Sequence, residues 1–244
     1  KISSVFLIFK KLLIPLLICI VLFVFSRAMT PDTWTSGATD KWKYLFTQPF
    51  VIFHYFYNFI LPVNLVVDTD WKIISSYYDD RVLAGILFII ALIYAAFKTS
   101  KIEKYKPVAF GISWFLISLA PTSSIFPFSE VLNDHRTFLP YIGLFIAVAT
   151  LLQILVTSNA FEKKTYAKLI LFPLALLFLF FHAYGTYQRN EVWRTEESLW
   201  KEATIKAPGN ARAWMNYGIA LMAPGNFKEA ESCFIKARDL LPYY

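Results

Sequence analysis

The stretch Glu130-Val131-Leu132-Asn133-Asp134-His135-Arg136-Thr137 gathers two acids, an imidazole and a guanidinium directly before the apolar run that opens at Phe138. Ionisable groups at the mouth of a membrane span are costly and often mark a site. A guanidinium can hold a phosphate through two parallel hydrogen bonds. Arg136 is therefore the candidate phosphate ligand, with His135 assisting and Glu130 or Asp134 orienting it. The same residues also suit an interfacial salt bridge that anchors the helix end, and residue types leave the two readings open. Asp68 and Asp70, with Asp79 and Asp80 beyond Trp71, could offer oxygen ligands to a divalent cation, the candidate cofactor. Their spacing matches no metal motif, and a solvated acidic loop is favoured. His54 and Asn58 stand one helical turn apart. They suit a polar groove or, the favoured reading, the polar face of a helix at the membrane surface. His182, with Tyr184 and Tyr187, reads as an interfacial belt, and Arg189, Asn190, Trp193 and Arg194 as a structural joint. No phosphate-binding glycine loop, HExxH, CxxC or GxSxG pattern is present.

These residues need elements to hold them, and composition says which kind. The chain has 244 residues, 57% hydrophobic, 18% aromatic and 17% charged, with mean hydropathy +0.49. A soluble domain is nearer half apolar and a quarter charged. Both a water-soluble enzyme and a disordered chain are excluded, leaving a membrane protein. A bilayer needs roughly 20 apolar helical residues, fewer where Lys or Arg snorkels. Leu12–Phe25, Val82–Phe97, Val108–Ala120, Phe138–Val156 and Leu169–Tyr187 qualify as spans. Leu45–Val67 is apolar and aromatic but carries Gln48, His54, Asn58 and Asn64, so it is either a sixth span or an interfacial helix.

Loop charge chooses between them. Lys10 and Lys11, then Lys98, Lys101, Lys104 and Lys106, then Lys163, Lys164 and Lys168 form three basic clusters, which the positive-inside rule places in the cytoplasm. A crossing at Leu45–Val67 would put one cluster on the wrong side. The expectation is five crossings plus an interfacial or re-entrant aromatic helix. Residues 27–81, 121–137 and everything after Tyr187 then share the extracytoplasmic side. The net charge of +7 belongs to these loops, and no nucleic-acid partner is expected.

After Tyr187 the composition turns charged. Trp214, Tyr217, Gly218, Leu221, Ala230, Phe234, Ala237 and Pro242 fall at the spacings of a tetratricopeptide repeat, with Tyr217 and Leu221 exchanging the large-residue positions. Pro224-Gly225-Asn226 supplies the turn. Stepping back 34 residues carries Pro242 onto Pro208, Ala237 onto Ala203 and Phe234 onto Trp200, so residues 193–207 read as the second helix of a preceding repeat. About one and a half repeats cannot bury a core alone. The fold class is all-α: a polytopic transmembrane bundle over 1–187, then a tetratricopeptide-repeat hairpin over 188–244. Cys19 and Cys233 make no disulfide framework.

The combination resembles the transmembrane and tetratricopeptide-repeat-containing O-mannosyltransferases, of the GT-C glycosyltransferase superfamily. The resemblance rests on Thr47-Gln48-Pro49 to Tyr55, Leu61-Pro62-Val63-Asn64-Leu65, and Asp134-His135-Arg136 with Phe138-Leu139-Pro140 and Gly143. It continues through Arg189-Asn190, Trp193-Arg194-Thr195 and Leu199-Trp200 into Pro208-Gly209-Asn210-Ala211-Arg212-Ala213-Trp214. Phe138 and Tyr141 stand where relatives commonly show Tyr and Ser. The resemblance implies sugar transfer from a polyprenyl-phosphate donor to a protein acceptor on the outer or lumenal side. It also implies a catalytic acid in the first outer loop, upstream of Lys1. This chain would then supply the lipid-phosphate end of the site, at Arg136 and His135, and acceptor-binding repeats. The membrane is the bacterial inner membrane by preference, with the endoplasmic reticulum as the alternative. A non-catalytic membrane scaffold that recruits an extracytoplasmic protein through its repeats is the competing reading. A transporter ranks last, because the spans lack internal charge.

Overall fold

A computed structural model of the chain describes residues 2–29, 40–124, 127–128, 130–158 and 165–242, with side chains omitted for 2–10, 12 and 165–168. The expected cytoplasmic Lys163 and Lys164 lie outside the described residues. Among the described residues there are nine α-helices and no strands. The chain divides into two compact units, residues 1–36 and 37–244.

The first unit holds α1 (Ile2–Met29), which contains Pro15 and ends beside Arg27. Its described apolar run, Leu13–Met29, has large side chains turned outward along its length.

The second unit carries α2 (Lys41–Ile60), α3 (Asp80–Ser100), α4 (Lys106–Leu119), α5 (Phe138–Val156), α6 (Thr165–Val192), α7 (Glu196–Lys206), α8 (Ala211–Met222) and α9 (Phe227–Leu240). Local signals fix the ends of several. Asp40 caps α2 by accepting from the Trp42 and Lys43 amides. Asp79 caps α3 and pairs with Arg81, which holds its carboxyl down at about 2. Thr195 and Ser198 form a capping box at α7, and Asn210 caps α8.

Three helical stretches are long and apolar enough to cross a membrane: Asp80–Ser100, Asp134–Val156 and Leu169–Val192. They match three of the five expected spans. Of the other two, Leu13–Met29 is the apolar part of the 28-residue α1 whose side chains are described, and α4 is a shorter helix whose 14 residues rise about 21 Å.

The core of the second unit explains the ambiguous aromatic segment. Tyr44, Thr47, Gln48, Val51, Ile52, Tyr55 and Asn58 lie on one face of α2 at helical spacing and are buried. Val51, Ile52 and Tyr55 pack with Phe115 and Leu119 of α4, Val131 and Leu132 of the following loop, and Leu144 of α5. The opposite side of α2 presents Trp42, Phe46, Phe53, Tyr57 and Ile60 outward. α4 and α5 meet at two glycines. A Cβ on Gly111 would lie 2.3 Å from the Gly143 carbonyl oxygen, and one on Gly143 would lie 2.4 Å from that of Gly111. The Trp114 indole donates to the Leu139 carbonyl across the same crossing (2.9 Å).

At the C-terminal end, α8 and α9 pack on one another. Leu221, Ala230 and Cys233 form a small core covered by Trp214, Tyr217 and Phe234. Gly225, with φ of 88°, makes the turn between them. Gly218 faces the Phe234 ring so closely that a Cβ there would stand 2.6 Å from it. Gly218→Ala is therefore expected to cost about 2 kcal/mol by overpacking. A thermal melt should show it, and an unchanged midpoint would mean that the ring swings aside freely. Ala237 is buried and Pro242 follows the helix end.

Candidate functional site

The loop before α5 is held by α2 and by Thr69 as well as by bonds of its own. The Tyr55 hydroxyl donates to the Asn133 carbonyl and accepts from the Asn133 amide, each at 3.0 Å. Gln48 donates to the Val131 carbonyl (3.4 Å), and the Thr69 hydroxyl donates to the Leu132 carbonyl (2.9 Å). Asn133 then starts a 3₁₀ turn, Asp134–Thr137, by accepting from the His135 amide. These bonds point successive side chains in different directions.

Asp134 turns toward α2. Its Oδ1 accepts from Asn58 (3.3 Å) and its Oδ2 from the Val66 amide (3.2 Å). The Asn58 amide group also lies 3.1 Å from His54 Nε2. His54 and Asn58 thus face the loop as part of a polar chain. Arg136 turns the other way, donating to the Glu130 carbonyl (3.2 Å) and carboxylate (2.8 Å). Its guanidinium stands 4.9 Å from the Phe128 ring centroid. Glu130, not Asp134, is therefore the acid that orients Arg136. The Arg136 side chain is 10% exposed. His135 is exposed.

The acidic segment is not a solvated loop at its first two positions. Asp68 Oδ2 lies 2.9 Å from Arg212 Nε, and Asp70 Oδ2 accepts from the Gly209 amide (3.1 Å). Burial pushes the Asp68 carboxyl above the ordinary carboxylate range, and Arg212 opposes that shift. Among the described residues no three His, Cys, Asp or Glu side chains gather as a metal-ligand set. Asp68 and Asp70 are instead engaged by Arg212 and the Gly209 amide.

A cavity of about 650 Å³ opens beside this loop. Phe59, Pro62, Tyr141, Phe145 and Trp193 give it apolar walls, and Arg189, Asn190, Gln188 and Lys206 give it a polar rim. Arg189 and Lys206 both pair with Glu202, and Lys206 also donates to the Leu65 carbonyl (2.9 Å). Two buried polar atoms of its lining residues, Asn58 Oδ1 and His182 Nε2, have no hydrogen-bond partner among the described residues. Such atoms cost free energy unless something satisfies them. His182 Nδ1 lies 3.0 Å from the Phe178 carbonyl, which it can reach as a donor, leaving Nε2 as an acceptor. The residues read from sequence as a joint, Arg189, Asn190 and Trp193, line a cavity. Lys206 and Arg212 were not singled out by type; the signal was a basic residue beside a Pro-Gly-Asn turn, facing acids far away in the chain.

The chain thus defines a membrane protein with an amphipathic cavity where its apolar helices meet a charged helical region. In sequence it is similar to protein O-mannosyltransferases of animals. Human protein O-mannosyl-transferase TMTC3 is 27% identical over 207 residues, covering 76% of this chain and 21% of the relative. Drosophila melanogaster Tmtc3 is 26% identical over 223 residues, 88% of this chain and 23% of the relative. Caenorhabditis elegans F38B6.6, also named a protein O-mannosyl-transferase, is 29% identical over 218 residues, 87% of this chain and 30% of the relative. The chain resembles that family over most of its length and spans between a fifth and a third of these relatives. No family model and no solved structure matches it.

Proposed function

We propose that this chain forms the donor-lipid end of a GT-C-type membrane glycosyltransferase that moves a sugar from a polyprenyl phosphate to a protein acceptor. The cavity carries this reading. Its apolar walls suit an isoprenoid chain, and its Arg189 and Lys206 rim suits the phosphate. An acceptor hydroxyl attacks the anomeric carbon, the bond to phosphate oxygen breaks, and the cations stabilise the charge that develops on the departing polyprenyl phosphate. Glu202 is the one carboxylate of the lining and is already paired twice. Glu202 is thereby engaged as a counter-charge to Arg189 and Lys206 and is not the base that removes the hydroxyl proton. Arg136 and His135 remain candidate phosphate contacts on the far side of the loop. On this reading α2 lies at the outer interface, five segments cross, and α7 to α9 are tetratricopeptide helices that present the acceptor on the extracytoplasmic or lumenal side.

Gly185 offers a clean test. It lines the cavity, and a Cβ built there meets nothing within 4 Å. Gly185→Trp should fold as the parent does while filling the space. Binding of a polyprenyl phosphate to protein in nanodiscs, read by native mass spectrometry, should weaken at least tenfold, about 1.4 kcal/mol. Undiminished binding in a folded Gly185→Trp protein would overturn the assignment.

A further inference from the structure

Asp68 and Glu130 lie almost out of solvent, with side chains 6% and 13% exposed. Two arginines from different parts of the chain meet them. Arg136 NH2 holds Glu130 Oε2 at 2.8 Å, and Arg212 NH2 holds Glu130 Oε1 at 2.7 Å. The same Arg212 guanidinium reaches Asp68 through Nε at 2.9 Å. Neighbouring bonds tie the same surfaces. Lys206 donates to the Leu65 carbonyl, the Gly209 amide to Asp70, Asn210 to the Thr69 carbonyl, and Thr69 to the Leu132 carbonyl. Val66 packs on Ala203 and Ala213 beneath them. The turn between α7 and α8 is thereby fastened to residues 65–70, and these to the loop before α5.

We propose that Arg212 is a positioning residue: through the carboxylate of Glu130, shared one oxygen to each guanidinium, it fixes Arg136 and the 130–137 loop. The C-terminal helices then set the geometry of that loop instead of hanging from the membrane helices as a separate module. The catalytic consequence rests on the donor-site reading above; the positioning itself does not. The physical reason is charge balance in a poorly solvated place. Removing Arg212 takes away a counter-charge that Asp68 faces and one that Glu130 faces. Uncompensated buried charge favours local opening. A lysine keeps the charge but cannot span both acids with a planar fork.

Hydrogen exchange on the protein in nanodiscs tests this. In Arg212→Gln, the amides of residues 64–70 and 130–137 should exchange about tenfold faster, while α3 stays as it was. Arg212→Lys should give an intermediate rate. Arg194→Gln, which removes an exposed arginine paired to Glu191, should change neither segment. If Arg212→Gln melts α8 and α9, Glu130→Gln decides in its place. It preserves shape and should loosen residues 130–137 and the 206–212 turn while α8 stays protected. Unchanged exchange at 130–137 in whichever variant keeps its helices overturns the proposal. Should the parent transfer sugar, Arg212→Gln should raise the donor KM several-fold and leave kcat nearly intact. Absence of polyprenyl phosphate binding by the parent would count against the donor-site reading, and the exchange result would still decide the positioning role.

Discussion

Alanine at Gly143 is expected to break the crossing of α4 and α5. The two helices approach so closely that each glycine faces the other's carbonyl oxygen, at 2.3 and 2.4 Å from where a Cβ would stand. Neither obstacle is a flexible side-chain tip. Both are backbone atoms inside regular helices, so one added carbon forces the axes apart. Trp114 cannot then keep its bond to Leu139, and the Phe115 and Leu144 contacts in the core loosen together. Overpacking in a well-filled site costs 1–3 kcal/mol and sometimes more, and here both backbones obstruct, so the expected loss is about 3 kcal/mol or greater. A thermal melt in detergent should show it for Gly143→Ala and Gly111→Ala alike. Gly185→Ala is the control, since open space surrounds that position and alanine is the better helix former by about 1 kcal/mol. Equal melting of all three would mean that the close crossing is not present in solution.

Tyr55→Phe is expected to cost about 2 kcal/mol while removing one oxygen atom. Tyr55 is 1% exposed, and its hydroxyl bonds both backbone groups of Asn133, itself buried. Phenylalanine keeps the ring and its packing but leaves the Asn133 amide without this partner, while the Asn133 carbonyl still accepts from the Arg136 amide (3.2 Å). One unsatisfied buried group costs about 1–3 kcal/mol, and the expected loss lies in the middle of that range. The defect also has an address. The 3₁₀ turn from Asp134 starts at Asn133, so faster amide exchange should begin at residues 133–137 rather than in the helices. A stability equal to the parent would show that water reaches Asn133 readily.

Much of the fold is legible along the chain because the physics is local there. About 20 apolar residues between charges can only be placed one way in a bilayer, and α3, α5 and α6 follow from that rule. The hairpin of α8 and α9 follows from small and large residues at fixed offsets. α2 is different. Gln48 and Asn58 look out of place in an apolar helix until their partners are known, and those partners are Val131 and Asp134, 83 and 76 residues away. No local pattern contains that information. The same holds for the site. Glu130 and Arg136 are six residues apart, and the loop alone offered Glu130 or Asp134 as the partner of Arg136 without choosing between them. The cavity was not, because its walls come from α2, α5, α6 and α7 together. Nor was the engagement of Asp68 and Asp70, whose composition suggested solvent or a cation and whose partners are Arg212 and the Gly209 amide.

The fastening of residues 65–70 to the α7–α8 turn has a consequence for how the protein is made. The bonds from Lys206 to Leu65 and from Asn210 to Thr69 each join residues 141 positions apart. Chains are synthesised at about 5–20 residues per second, so the earlier partner waits about 7 to 28 seconds for the later one. Throughout that interval Asp68 and the apolar Val66 have emerged while Arg212 and Ala213 have not. Residues 80–192, with α3, α5 and α6, are all synthesised before the clasp can close. The segment 65–70 thus gains its bonds to the α7–α8 turn only after most of this unit has been made.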